Sequence, residues 1–223
     1  MNQTSLLSGN IRQQILTLAV PLLLGNILQQ LYNTSVSLFV GRFLGTNAFV
    51  SVGISGRLMN LFIFILDGCC AGITVILGQF YGSGDRKKYR EEVFTALLLG
   101  MIIALIISGV CTVFLDPILN LIHTPDELIP YAESYLFIIL AGLPITCLYN
   151  LLSGILRSIG NTRVALSFLA AAITVNIALD FLFIGILRLG TGGAAAATIL
   201  SQFFSAICCF LYLRDTYPGL LCR

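Results

Sequence analysis

Apolar residues dominate six stretches of the chain, and each stretch is near or above the roughly 20 residues that a membrane-spanning helix needs. The stretches cover residues 15–40, 49–77, 93–115, 131–156, 164–187 and 193–213. An apolar and polar alternation over segments of about 10 residues, typical of a transmembrane barrel, is absent. The pattern predicts an all-α polytopic membrane protein with six transmembrane helices.

The composition supports a membrane environment for the whole chain. Hydrophobic residues make up 57% of the sequence and charged residues only 10%. No polar stretch is long enough to form a separate soluble domain, so we expect the lipid bilayer to surround most of the protein. The net charge of +2 does not indicate a nucleic-acid partner.

The basic residues predict the orientation of the helices. With six spans both termini lie on the same side, and nine Lys or Arg residues fall on that side: Arg12, Arg86, Lys87, Lys88, Arg90, Arg157, Arg163, Arg214 and Arg223. Only Arg42, Arg57 and Arg188 fall on or toward the other side. By the positive-inside rule the terminal segments, residues 1–14 and 214–223, are expected in the cytoplasm of a cell whose plasma or inner membrane holds the protein.

Asn176 and Asp180 are the strongest functional candidates in the sequence. They lie one helical turn apart in the fifth apolar stretch, which carries no other charge, so their side chains share a face of the helix. A carboxylate at membrane depth is costly, and its presence indicates an ion site or a substrate pathway. Desolvation favours the neutral form of such a carboxyl, which suits it to bind and release a proton.

The first apolar stretch contains a proline and several polar residues. Pro21 removes a backbone hydrogen bond inside the predicted helix and is expected to bend it. Downstream, Gln29, Tyr32, Asn33 and Ser37 place polar atoms on neighbouring faces. Hydrogen bonds between helices would explain any one of these residues, but together they favour a hydrated cavity.

The second apolar stretch carries two charges, Arg57 and Asp67, each of which would cost about 2.5 to 3.5 kcal/mol unpaired at a helix centre. Helical rise places Arg57 at a depth similar to that of Asp180, which makes it a candidate charge partner. Asp67 lies roughly 15 Å further along the axis and is at the wrong depth to join them. Gly68 and Gly72 form a small-residue pair that predicts a close helix contact.

Seven segments, in order, resemble the N-terminal lobe of a multidrug and toxic compound extrusion (MATE) transporter, from about residue 15 to residue 213. They are AVPLLLGNILQQLYNTSVSLFVGRFLGTNA, VGISGRLMNLF, GQFYGSGDRKKYR, TPDELIPYAESYL, GLPITCLYNLLSGILRSIGNTR, NIALDFLFI and GTGGAAAATILSQ. The resemblance implies one of two six-span lobes that enclose a central cavity. It also implies export of cationic or amphiphilic compounds against inward movement of protons or sodium.

The same resemblance assigns roles to individual residues. Pro21 corresponds to the bending proline of the first helix, and Asn176, Asp180 and Thr198 correspond to polar positions used in cation coupling. Oxygens of these residues are suited to sodium or to hydrogen bonds with the protonated acid, so we expect a sodium or proton site at Asp180 and Asn176, with no other metal or cofactor. Val36 stands where the family has an acid.

A chain of 223 residues corresponds to one lobe, so the resemblance implies a partner. The second six-span lobe is expected as a separate chain or as a second copy of this one. A lipid-linked carrier flippase of related architecture is an alternative, favoured by the positive charge of Arg57, which stands where the family usually has proline. A truncated subunit that does not transport is another. An enzyme is not expected, because no His and Cys cluster and no paired intramembrane acids at one depth appear.

Overall fold

Helices account for nearly all of the computed structural model, which describes residues 11–121 and 124–221 except for the side chains of residues 11–18, 21–22, 58, 121 and 220–221. The helices are α1 (Ile11–Leu44), α2 (Thr46–Gly82), α3 (Arg86–Val113), α4 (Leu115–Leu121), α5 (Ile129–Ala141), α6 (Leu143–Ser158), α7 (Thr162–Asp180), α8 (Gly190–Thr216) and α9 (Pro218–Leu221). A π-helical segment, Phe181–Ile186, continues α7. Residues 1–10 of the predicted N-terminal segment lie outside the described residues.

The predicted spans correspond to α1, α2, α3, the α5–α6 pair, α7 with its π-helical segment, and α8. Among the described residues, four of these helices are long and apolar enough to cross a membrane: α2, α3, extended α7 and α8. The α5–α6 pair makes a fifth if it is counted as one span. Helix α1 has 34 residues, and polar side chains interrupt its apolar surface.

The fourth predicted span, residues 131–156, is bent rather than straight. Helices α5 and α6 meet at 47° around Gly142. Pro144 lies in the first turn of α6, where a residue without an N–H is tolerated, and it favours a new helix start at this point. The Gly142 N–H donates to the carbonyl groups of Ile138 and Ile139 and closes the end of α5.

Helix α8 forms the centre of the bundle and packs against α5, α6 and α7. Half of its apolar span is buried, compared with 17–22% for the other single helices that could cross a membrane. Its first turns are built from small residues, and Gly193, Ala194, Ala195 and Ala197 are buried. Small side chains let helix backbones approach closely, which is how helices associate where lipid supplies no hydrophobic driving force.

Two apolar clusters occupy opposite ends of the bundle. One includes Val36, Leu136 and Ile184 and lies toward the turn between α1 and α2. The other includes Leu77, Tyr89 and Leu156 and lies toward the turn between α2 and α3. Large apolar side chains on α1, α2 and α3 remain exposed, as expected of surfaces that face lipid.

The helix contact predicted at Gly68 and Gly72 is wrong within this lobe. A Cβ atom built on either glycine would meet no atom of the described residues within 4 Å. Both glycines lie on an exposed face of α2. Close packing occurs instead at Gly142, where a Cβ atom would collide with three carbons of the Ile199 side chain on α8.

We expect Gly142→Ala to lower the free energy of unfolding by about 1 to 3 kcal/mol, because the added methyl group overpacks the contact with Ile199. The matched control is Gly68→Ala, which adds the same methyl group in open space and gains helix propensity of up to about 1 kcal/mol. Thermal unfolding in detergent measures both variants. Equal melting temperatures for the two would contradict the packing assigned to Gly142.

Candidate functional site

Asn176 and Asp180 are completely buried, as no part of either residue is exposed. Both lie on the last turns of α7, on the face that packs against α8. The shared face predicted from their spacing is therefore present in the structure. Burial of a carboxylate at this depth requires polar partners, because an unpaired charge in an apolar interior is very costly.

A short hydrogen-bonded chain connects Asp180 to α8 through Asn176. With its amide oriented to satisfy both neighbours, Asn176 Nδ2 donates to Asp180 Oδ2 at 3.0 Å. Asn176 Oδ1 accepts from the backbone N–H of Thr198 at 3.2 Å. The Thr198 hydroxyl donates to the carbonyl of Ala194 on its own helix. The structure thus brings together the three residues that the resemblance assigned to cation coupling.

One carboxylate oxygen of this group has no partner. Asp180 Oδ1 is buried and forms no hydrogen bond within the described part of the chain. The hydroxyl of Tyr32, on α1, is also buried without a hydrogen bond. It lies beside Thr198 and Ser201 and near the Asp180 carboxylate. A proton or a small cation at Asp180 Oδ1 would supply the missing interaction.

Sequence reasoning missed two features around Asp180. Tyr135, on α5, is buried close to the carboxylate, and its hydroxyl donates to Met59 Sδ at 3.9 Å. The chain also changes from α-helical to π-helical winding directly after Asp180, and the Leu187 N–H reaches back five residues to the carbonyl of Leu182. Single π-helical turns occur frequently at functional sites. The pattern of apolar residues along the sequence does not indicate such a turn.

A cavity of about 550 Å³, lined by both polar and apolar side chains, lies between α1, α2, α6, α7 and α8. Tyr32 and Thr198 line it, whereas Asn176 and Asp180 do not. Tyr32 and Thr198 therefore lie between the cavity and the buried Asp180 carboxylate. The hydrated space predicted from the polar residues of α1 has its counterpart here, since Gln29 and Asn33 also line the cavity.

Asn33 and Pro21 stand apart from the Asp180 cluster. Asn33 is exposed, and its Nδ2 donates to Gln30 Oε1 at 3.4 Å on the same helix. It belongs to the wall of the cavity. Pro21 lies within the continuous helix α1, and its side chain is outside the described residues, so the predicted bend stays a prediction.

The ion pair predicted between Arg57 and Asp180 is wrong. Arg57 is exposed on α2 and forms no ion pair within 4 Å to any described carboxylate. Asp180 is fully enclosed. Similar depth along the bundle axis did not bring the two together, because Arg57 is exposed at the surface and Asp180 is buried inside the bundle. The positive charge that favoured a flippase does not reach the cavity, since Arg57 is not among its lining residues.

Asp67 has one hydrogen-bond partner among the described residues. Its Oδ1 accepts a hydrogen bond from Asn150 Nδ2 on α6. The guanidinium of Arg157, also on α6, lies near enough for its charge to act on the carboxylate. All three residues line the cavity. As predicted from helical rise, Asp67 does not stand beside Asp180.

Comparison with known proteins places this fold in one family. The profile described as MatE matches residues 21–182. The probable multidrug resistance protein YpnP of Bacillus subtilis (strain 168) is 32% identical over 197 residues, which cover 87% of this chain and 44% of YpnP. The chain spans about half the length of the relatives it matches.

Solved structures agree with the sequence relatives. An outward-facing multidrug resistance MATE family transporter of the MOP superfamily superposes with a TM-score of 0.90 at 25% identity, over 99% of this chain and 49% of the other. A MOP superfamily transporter from Pyrococcus furiosus gives the same values, and its binding pocket is described as having reverse polarity. The all-α, single-lobe fold predicted from the sequence is confirmed.

We expect Asn176→Leu to lower the free energy of unfolding by about 1 to 3 kcal/mol, because Asp180 Oδ2 and the Thr198 N–H each lose a buried partner. The double variant Asn176→Leu with Asp180→Leu removes the carboxylate as well and should recover most of that loss. Thermal unfolding of the chain in lipid nanodiscs measures both. A double variant that is less stable than Asn176→Leu would argue against this hydrogen-bonded chain.

Proposed function

Because the chain belongs to the MATE family of transporters, we propose that it forms one lobe of a secondary active transporter. In this proposal the assembled protein exports organic cations or other amphiphiles across the cell membrane by antiport with protons or sodium. Its termini face the cytoplasm. The observation that carries the proposal is the buried Asp180 carboxylate, with one oxygen held by Asn176 and the other without a partner among the described residues.

The arrangement at Asp180 suits reversible binding of a small cation. A bound proton neutralises the carboxyl in its apolar surroundings and gives Oδ1 a hydrogen to donate. Sodium would need several oxygen ligands, and the Asp180 carboxylate and the Tyr32 hydroxyl offer them. Either ion changes the charge of the cluster by one unit, and unequal affinity in two conformations lets such binding shift their populations.

The position of the cavity beside the Asp180 cluster supports the proposed exchange of an ion for a larger compound. Tyr32 and Thr198 touch both the cavity and the Asp180 cluster, so a small movement of the Tyr32 ring would connect the two. The side chains that separate them belong to α1 and α8. Binding at Asp180 and occupancy of the cavity can therefore influence each other through residues that both share.

A second lobe completes the transporter in this proposal. Related transporters have two repeats that rock against each other with the site between them. This chain spans about half the length of YpnP and of the matching structures. We propose that a second six-span lobe packs against this one across the cavity, and chemical cross-linking in membranes tests for that contact.

We expect Asp180→Asn to abolish gradient-driven export, because an amide cannot exchange a proton or offer a negative charge to sodium. The measurement is efflux of ethidium and of Nε-dansyl-lysine from proteoliposomes that hold the chain with its partner lobe, under an imposed proton or sodium gradient. Asp116→Asn, at an exposed acid remote from the cluster, is the matched control and should retain efflux. Export of both dyes by the Asp180→Asn variant at the unsubstituted rate would contradict the proposed coupling.

A further inference from the structure

We propose that Cys70 and Cys147 form an oxidation site, in which hydrogen peroxide that enters the cavity converts the two thiols to a disulfide between α2 and α6. The site takes an oxidant rather than an ion or a cargo compound. It uses neither Asp180 nor Asn176, and it does not depend on the transport function proposed above.

The two thiols lie together inside the bundle. Cys70 on α2 and Cys147 on α6 are both buried in one small cluster, which also contains Ala104 and Leu151. Their side chains lie within hydrogen-bonding reach of each other. A disulfide forms only between cysteines whose side chains already approach, since a larger separation requires the backbone to move. The contact between these thiols meets that requirement.

Helix α3 holds the Cys147 thiol in position. The thiol donates its hydrogen to the carbonyl of Gly100 at 3.5 Å. A Cβ atom on Gly100 would lie 3.6 Å from the same sulfur, so α3 also confines the sulfur by packing. With its hydrogen engaged at that carbonyl, the Cys147 sulfur has lone pairs available for Cys70.

Close packing of α2 against α6 keeps the two thiols together. A Cβ atom on Gly154 of α6 would collide with the hydroxyl of Thr74 on α2, so the two helix backbones approach closely there. The carboxylate of Asp67 on α2 also accepts a hydrogen bond from Asn150 on α6. Each partner of this hydrogen bond lies three residues from one of the thiols. The two helices are therefore joined on either side of the cysteine pair.

The cavity gives an oxidant access to one sulfur before the other. Cys70 is among the residues that line the cavity, whereas Cys147 is not. Because Cys70 is only 4% exposed, it offers room to a molecule as small as hydrogen peroxide rather than to a bulky disulfide. An accessible cysteine beside a second, resolving cysteine is the arrangement of a redox-sensing pair.

The oxidation is balanced with peroxide as the oxidant. The Cys70 sulfur attacks one peroxide oxygen, the O–O bond breaks, and the departing hydroxide takes the thiol proton and leaves as water. The Cys147 sulfur then attacks the sulfur of the Cys70 sulfenic acid, the S–O bond breaks, and the second hydroxide leaves as water with the Cys147 proton. Each sulfur loses one electron, and the two peroxide oxygens gain two. The product is uncharged, which suits the apolar cluster around it.

The test uses the full chain in lipid nanodiscs that hold one chain each. The protein is treated with hydrogen peroxide, and a maleimide then blocks the remaining thiols under denaturing conditions. Cyanogen bromide cleaves after methionine, and cleavage after Met101 separates residues 60–101, which contain Cys70, from residues 102–223, which contain Cys147. We expect non-reducing mass spectrometry to find these two fragments joined and dithiothreitol to separate them. Fragments that stay separate after oxidation would overturn the proposal.

Cysteine variants identify the bond. Cys70→Ala and Cys147→Ala should each lose the joined product. Cys69→Ala removes an exposed neighbouring thiol, and Cys111→Ala removes a buried thiol of another cluster. Both are matched controls and should keep the joined product. A product that survives Cys70→Ala but is lost in Cys69→Ala would contradict the pairing.

The order of attack has a separate measurement. In Cys147→Ala no second thiol consumes the sulfenic acid, so dimedone should label Cys70 after peroxide treatment. In Cys70→Val, which keeps the space at position 70 filled, Cys147 should remain unlabelled because it does not line the cavity. Equal labelling of the two cysteines would contradict entry from the cavity. None of these measurements needs an ion gradient or a cargo compound, so a failure of export would leave the oxidation site unaffected.

Discussion

Burial of the Asp180 carboxylate is the constraint on which the rest of the bundle depends. The carboxylate is tolerated because Asn176 holds one oxygen and is itself held by the backbone of α8. That contact requires α7 and α8 to lie close together, and the small residues at the start of α8 allow it. The most polar point of the interior therefore lies beside its most closely packed helix, and the two features stabilise each other.

The fold places two kinds of polar site next to each other without merging them. Asp180 is fully buried, whereas Asp67 lies in the wall of an open cavity. Tyr32 and Thr198 form the boundary between them. This separation would allow a small ion and a larger compound to bind to different side chains of one lobe. Val36 packs in the apolar cluster that also includes Leu136 and Ile184.

Much of this architecture follows from the length of the apolar stretches, but the charge pairing does not. The number of spans was predicted from those lengths, and the shared face of Asn176 and Asp180 from their spacing of one helical turn. The ion pair of Arg57 was wrongly predicted because depth along a helix axis does not give the direction of a side chain around that axis. A side chain one-third of a turn away points to a different neighbour. Arg157 was predicted only as one of the basic residues on the cytoplasmic side. Its place in the cavity lining was missed, because its long side chain reaches the cavity from the end of α6. The close contact between Gly142 and Ile199 joins residues far apart in the sequence, so no local pattern reveals it.

The π-helical segment Phe181–Ile186 begins directly after Asp180. A π-helical hydrogen bond spans one residue more than an α-helical bond, so this segment stores an extra residue within a continuous helix. Release of that residue would rotate everything beyond it by roughly 100° about the helix axis, the angle that one residue occupies in an α-helix. Because Asp180 lies at the start of this segment, a change at its carboxylate would reach the connection to α8 through the winding of these six residues.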